Sequence, residues 1–155
     1  MKYVLIAAAV AVIGIAALPL YGSGEGRPGI KVYKTATCGC CEAWVEHLEA
    51  EGFRVDAEDV AQAKLYGIKQ QAGVTRETAS CHTAFIDGHV IEGHVPASDI
   101  RRFVAEARDG AVGLAVPGMP LGSPGMEMGG RRDAYEVLTL GEGGGTTIFS
   151  RYAGE

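Results

Sequence analysis

The sequence has no basic patch, no heptad repeat, no long internal repeat, no low-complexity tract and no phosphate-binding loop. Each absence closes off a class of function. Acidic residues outnumber basic ones, 19 to 14, for a formal net charge of −5. Without a cationic surface there is nothing to neutralise a phosphate backbone, so nucleic acid is excluded as a partner. Arg101-Arg102 and Arg131-Arg132 read as solvated charges. The glycine-rich turn at 141–145 lacks the Lys-Ser/Thr ending and the following helix of a phosphate loop. Cysteine is also scarce, with four in 155 residues, but it is unevenly spread: Thr37-Cys38-Gly39-Cys40-Cys41 holds three and Cys81 is the fourth.

What thiols do depends on their compartment. The chain opens Met1-Lys2-Tyr3 and runs uncharged over 4–20, with Pro19 and Gly22-Ser23-Gly24 as breakers at its end. A basic start, an apolar stretch and a small-residue exit mark 1–22 as an export signal or an N-terminal membrane anchor. No clean A-x-A cleavage site decides between the two. Residues 23–29 are a flexible linker by composition. About 130 residues then remain, enough for one domain with its own core. The expected location is periplasmic or exported, with membrane contact only through the N-terminus. In that setting four cysteines ordinarily mean two disulfides, but three within four residues do not fit that pattern simply.

The periodicity gives an order of elements. Residues 30–34 alternate as a short strand, and Trp44, Val45 and Leu48 recur at helical spacing until Gly52. A second strand is expected at 53–60, weakened by its acidic residues, and a helix at 61–72 buried through Leu65 and Ile68 and stopped by Gly73. Residues 83–86 and 89–92 flank Asp87-Gly88, a strong hairpin signal. Pro96 starts a last helix with Ile100, Phe103, Val104 and Ala107 on one face. The core at 30–110 thus reads βαβαββα. Beyond it, 111–155 carries a methionine-containing loop and two strand-like runs, 135–140 and 146–152. These form a hairpin placed to pin that loop over the site.

This order, with cysteines between the first strand and the first helix, resembles the thioredoxin fold, with Cys38 and Cys41 in the positions of its C-x-x-C pair. The α/β class follows from the alternation, and the thioredoxin-like arrangement from the resemblance. In that fold the loop before the hairpin, here Ala79-Ser80-Cys81-His82-Thr83, lies against the cysteine pair. The turn after the hairpin, Gly93-His94-Val95-Pro96, lies close by. No proline occupies the usual place in the first loop. The resemblance brings Cys81 and His94 to the three-thiol turn.

A helix N-terminus has unpaired amide donors and a partial positive charge, so it lowers the pKa of nucleophilic and metal-binding cysteines alike. Three readings stay open. Disulfide exchange needs only two cysteines, leaving Cys40 surplus and Cys81 a hazard. Structural disulfides, Cys38 to Cys41 with Cys40 to Cys81, are the plainest reading. Soft-metal binding uses all four sulfurs, and the neighbouring residues favour it. Pro117-Gly118-Met119 returns as Pro124-Gly125-Met126, each copy able to hold one thioether on a defined turn. Thioethers suit Cu(I) and contribute little to zinc. Met128 reads as gap-filling. Of the histidines, His94 is a candidate ligand. His82 is a weaker one, because neighbours on an extended segment point to opposite faces. His47 reads as surface and His89 as solvated, while Glu92 and Glu127 are placed to orient ligands.

The stretches CGCCEAW, SCHTA, IEGHVPASDI and GLAVPGMPLGSPGME, in this order, resemble the bacterial exported copper-resistance proteins of the CopG type, long catalogued as a domain of unknown function. The resemblance spans 30–152. It implies a thioredoxin-like domain that binds copper as a thiolate-bridged multinuclear Cu(I) centre. By this resemblance Cys38, Cys40, Cys41 and Cys81 are sulfur ligands, and His94, Met119 and Met126 are supplementary ones. Copper ions, and other exported copper-handling proteins, are the implied partners. A metal-binding protein is expected rather than an enzyme, with copper oxidoreduction and thiol–disulfide exchange through Cys38 and Cys41 as alternatives.

Overall fold

The structure, a computed structural model, describes residues 29–106 and 109–155. The expected export signal or anchor at 1–22, most of the expected linker at 23–29 and Ala107 lie outside the described residues. Among the described residues no helix is long and apolar enough to cross a membrane.

The chain runs β1 (Gly29–Lys34), α1 (Gly39–Ala50), β2 (Arg54–Asp59), α2 (Gln62–Gln71), β3 (Thr83–Ile86), β4 (His89–Glu92), α3 (Ala97–Glu106), β5 (Ala111–Ala115), β6 (Tyr135–Gly141) and β7 (Thr146–Tyr152). The strands form one sheet in the order β2-β1-β3-β4-β5-β6-β7. β1 pairs parallel with β2 and antiparallel with β3, and β3 and β4 form the antiparallel hairpin. This is the α/β class expected from the sequence, its β1-α1-β2-α2-β3-β4-α3 order compatible with a thioredoxin-like arrangement, extended at one side by the C-terminal strands.

Local sequence explains most of these elements. On α1 the buried residues are Cys41, Trp44, Val45 and Leu48, a stripe of spacing 3, 1 and 3 that faces the sheet through two turns. Its Trp44, Val45 and Leu48 pack with Ile100 and Phe103 of α3 and with Ile30, Val32, Ile91 and Leu114 of the strands in one apolar cluster. Trp44 Nε1 donates to the Val95 carbonyl at 2.9 Å, tying α1 to the segment that enters α3. A smaller cluster around Val90, Ala115 and Leu140 takes in Ala72 and Val74 from the end of α2. The β3–β4 turn has positive φ at Asp87 and Gly88, as a two-residue hairpin with right-handed strand twist requires.

One strand was not foreseen. β5 pairs parallel with β4 and antiparallel with β6, so it carries the tail hairpin into the same sheet. Its sequence, Ala-Val-Gly-Leu-Ala, is an apolar run with a glycine at its centre, which weakens the strand signal. The glycine has a steric reason: a Cβ at Gly113 would overlap the Val90 carbonyl oxygen.

The arginines read as solvated are partly engaged. Arg101 bonds to Glu51 and lies over the Phe53 ring, while Arg102 pairs with buried Asp99 and covers Phe149. Their aliphatic stems pack while their charges stay near water.

Candidate metal centre

Cys38 is the N-cap of α1 and its side chain accepts no capping hydrogen bond from the first-turn amides, so the sulfur-rich turn sits on the free amide end of the helix. Cys81 comes from the loop before β3, on the far side of the turn. The result is a compact group in which the sulfurs of Cys38, Cys40, Cys41 and Cys81 all lie within 4.8 Å of one another. Cys38 and Cys41 are joined as a disulfide. Cys40 and Cys81 are free thiols. Cys40 Sγ is 3.5 Å from Cys38 Sγ and 4.0 Å from Cys81 Sγ.

Cys81 also belongs to a second group. Its sulfur and one ring nitrogen each of His82 and His94 lie within 4.8 Å of one another. Cys81 Sγ is 3.1 Å from His94 Nε2 and 3.3 Å from His82 Nδ1. The inclusion of His82 departs from the sequence reading, which set neighbouring side chains on opposite faces. The reason is local: β3 begins only at Thr83, so Cys81 and His82 lie on a bend rather than a strand. His82 is fully buried, lies against Trp44 with ring centroids 4.3 Å apart and planes tilted by 37°, and its Nε2 has no hydrogen-bond partner.

Electrostatics suits a neutral imidazole pair and a protonated thiol. Burial, and then the charge on Cys40, push Cys81 up to about 12. Burial lowers His94, and lowers His82 well below the ordinary histidine range. Neutral imidazoles and thiolates are the forms that bind soft metals, so any ion entering here must displace the Cys81 proton.

The Cys81 loop is held from behind by buried charges. Glu92, fully buried, accepts from Lys69 Nζ at 2.5 Å, from Thr83 Oγ1 at 2.7 Å and from the Ser80 amide at 2.6 Å. Lys69 was not foreseen. Its spacing from Leu65 puts a cation on the inward face of α2, a pattern that demands a buried partner.

Each Pro-Gly-Met turn is anchored to a different wall. Ser80 Oγ donates to the Gly118 carbonyl and the Gly118 amide donates to Ala79 at 3.0 Å, so the first copy is tied to the Cys81 loop. In the second, the Pro124 carbonyl is 2.8 Å from His94 Nδ1, and Gly125 packs on the backbone of Cys40 and Trp44. Both glycines have positive φ, 69° and 82°. Met126 is half-buried, and Met119 is 53% exposed at the rim. Glu127 accepts from the Gly125 amide at 2.7 Å and so shapes the second turn. His47, read as surface, is half-buried and accepts the Ala97 amide at 3.3 Å. His89, read as solvated, sets its ring edge-on to Phe103.

Comparison with known proteins decides the lineage. Two solved structures described as "Copper resistance protein copG", Form 1 and Form 2, are each 46% identical to the chain, with TM-scores of 0.77 and 0.75. The alignments cover 83% and 82% of this chain and 100% and 99% of those chains. The chain belongs to the CopG family of copper-resistance proteins. Residues 78–126 also match the family described as "Protein of unknown function, DUF411". That CopG segment holds Cys81, His82, His94, Met119 and Met126 of the candidate site, while Cys38, Cys40 and Cys41 lie at the start of α1. No curated protein matches the chain.

Proposed function

We propose that the protein is an exported copper-homeostasis protein that holds Cu(I) on Cys38, Cys40, Cys41 and Cys81 as a thiolate-bridged multinuclear centre. His94 adds an imidazole, and Met119 and Met126 add thioethers from their turns. One observation carries the reading: four sulfurs from two separate segments converge within 4.8 Å. Thiolates bridge soft ions readily, and so dense a sulfur set selects against hard cations. Reduction of the Cys38–Cys41 disulfide would supply two of the four thiolates. The test is anaerobic titration of the reduced chain with Cu(I). More than one copper per chain is expected, with fewer for Cys40→Ser; one copper or none would remove the multinuclear centre.

A second reading has its own support. A Cys38–Cys41 disulfide at the start of α1 in a thioredoxin-like fold is the arrangement of a disulfide oxidoreductase. In a protein-disulfide reduction assay that reading requires Cys38→Ser to abolish turnover and Cys40→Ser to preserve it. A copper oxidoreductase would further require turnover of Cu(II) with an added electron donor.

A further inference from the structure

A groove of about 480 Å³ opens beside the sulfurs, between α2 and the loop that carries Cys81. Cys38 and Cys81 lie in its lining, with Tyr66 and Gln70 on the α2 side and Arg76 on the loop. Its size is that of a small-molecule site. Its charge is unusual for this chain: the lining contains no carboxylate, although the net charge of the protein is −5. Of the two cations in the lining, Lys69 is neutralised by Glu92. Arg76 is exposed and has no ion-pair partner among the described residues. Tyr66, 60% exposed, adds an apolar wall. A groove with cysteine sulfurs in its lining, one free guanidinium and no acid favours a ligand that is anionic and carries a soft centre.

We propose that this groove receives copper as the anionic Cu(I) complex of a small carboxylate-bearing thiol, the carboxylate held by Arg76 and the metal passed to Cys38 and Cys81. The proposal rests on the copper reading above. The transfer is a ligand exchange without change of oxidation state. In the reduced chain, [Cu(SR)₂]⁻ gives up two Cu–S bonds and forms two new ones to the cysteines. The two cysteine protons leave on the departing thiols as 2 RSH. The same thiol supplies the electrons that open the Cys38–Cys41 disulfide, two RSH giving RS–SR and two cysteine thiols.

The test compares two carriers of one thiol chemistry and opposite charge. Reduced full chain is mixed anaerobically with Cu(I) bound to 3-mercaptopropionate or to cysteamine, and copper on the protein is measured after timed desalting. The net charge of the protein alone would favour the cationic carrier. The expected result is the opposite, with loading from 3-mercaptopropionate about five- to tenfold faster and the preference shrinking in high salt. Arg76→Gln should level the two rates and Arg76→Glu should invert them, with unchanged denaturation midpoints. Equal rates in the wild type, or a preference that survives Arg76→Glu, would overturn the proposal and leave the groove to a protein donor. Failure of the wild type to load even from the Cu(I)–acetonitrile complex would instead bring down the copper reading itself.

Discussion

The ring of His94 is fixed by Pro124: its Nδ1 lies 2.8 Å from the Pro124 carbonyl oxygen. A carbonyl can only accept, so Nδ1 carries the proton and Nε2 presents a lone pair to Cys81, 3.1 Å away. A backbone oxygen from the second Pro-Gly-Met turn thereby sets the tautomer that a metal needs. That turn therefore orients the His94 ring, whatever its methionine contributes.

His94→Asn separates the two nitrogens. The Asn amide can replace the Nδ1–H donor to Pro124 but offers nothing at Nε2. Cu(I) affinity, measured by competition with a chromophoric chelator, should fall by at least about tenfold. The empty protein should lose only about 1–2 kcal/mol. An unchanged affinity would take His94 out of the metal site.

Acid should unfold the empty protein through its histidines. His47, His82 and His94 are all held below 6.5, with burial the first cause in each. Below that value the unfolded chain takes up protons that the folded chain refuses. The stability these neutral rings contribute is complete above pH 6.5 and is lost as pH falls through their folded values. Glu58, Glu77 and Asp133 are also depressed, but from ordinary values of 4.5, 4.5 and 3.8. A decline in the urea midpoint between pH 6.5 and 5 therefore belongs to the imidazoles, and a flat profile there would contradict their burial as neutral rings.

Glu92→Gln should strand a charge. Lys69 is buried, so removing its partner costs about 3–5 kcal/mol, and the Ser80 amide loses a charged acceptor. Lys69→Met in the same chain should recover much of the stability without restoring the Cys81 loop. Alkylation of Cys81 would then remain faster than in the wild type, by about tenfold. If the double variant regains both stability and slow alkylation, Glu92 is structural only.

Two glycines with similar φ should respond differently. At Gly118 a Cβ meets nothing within 4 Å, so Gly118→Ala costs the positive-φ strain alone, about 1 kcal/mol. At Gly125 the Cβ would lie 2.7 Å from the Trp44 amide nitrogen and 2.8 Å from the Cys40 carbonyl oxygen. Gly125→Ala adds overpacking of about 1–3 kcal/mol and should lift the turn from α1. Equal effects on the denaturation midpoint would mean the turn does not bear on the helix.

Much of this protein was determined locally. The spacing of Cys41, Trp44, Val45 and Leu48, the Asp87-Gly88 turn and the Gly52 and Gly73 stops set the element order and put the thiols on a helix N-terminus. Those features depend on neighbours within a turn or two. The tertiary structure decided the rest: that Cys38 bonds Cys41 and leaves Cys40 free, that His82 turns inward beside Cys81, that Gly113 lets β5 close on β4, and that Lys69 meets Glu92 behind the loop. Each depends on side-chain direction where the backbone is irregular, or on contact between residues far apart in the chain. Periodicity carries no record of either, because both are settled only when the sheet and helices pack.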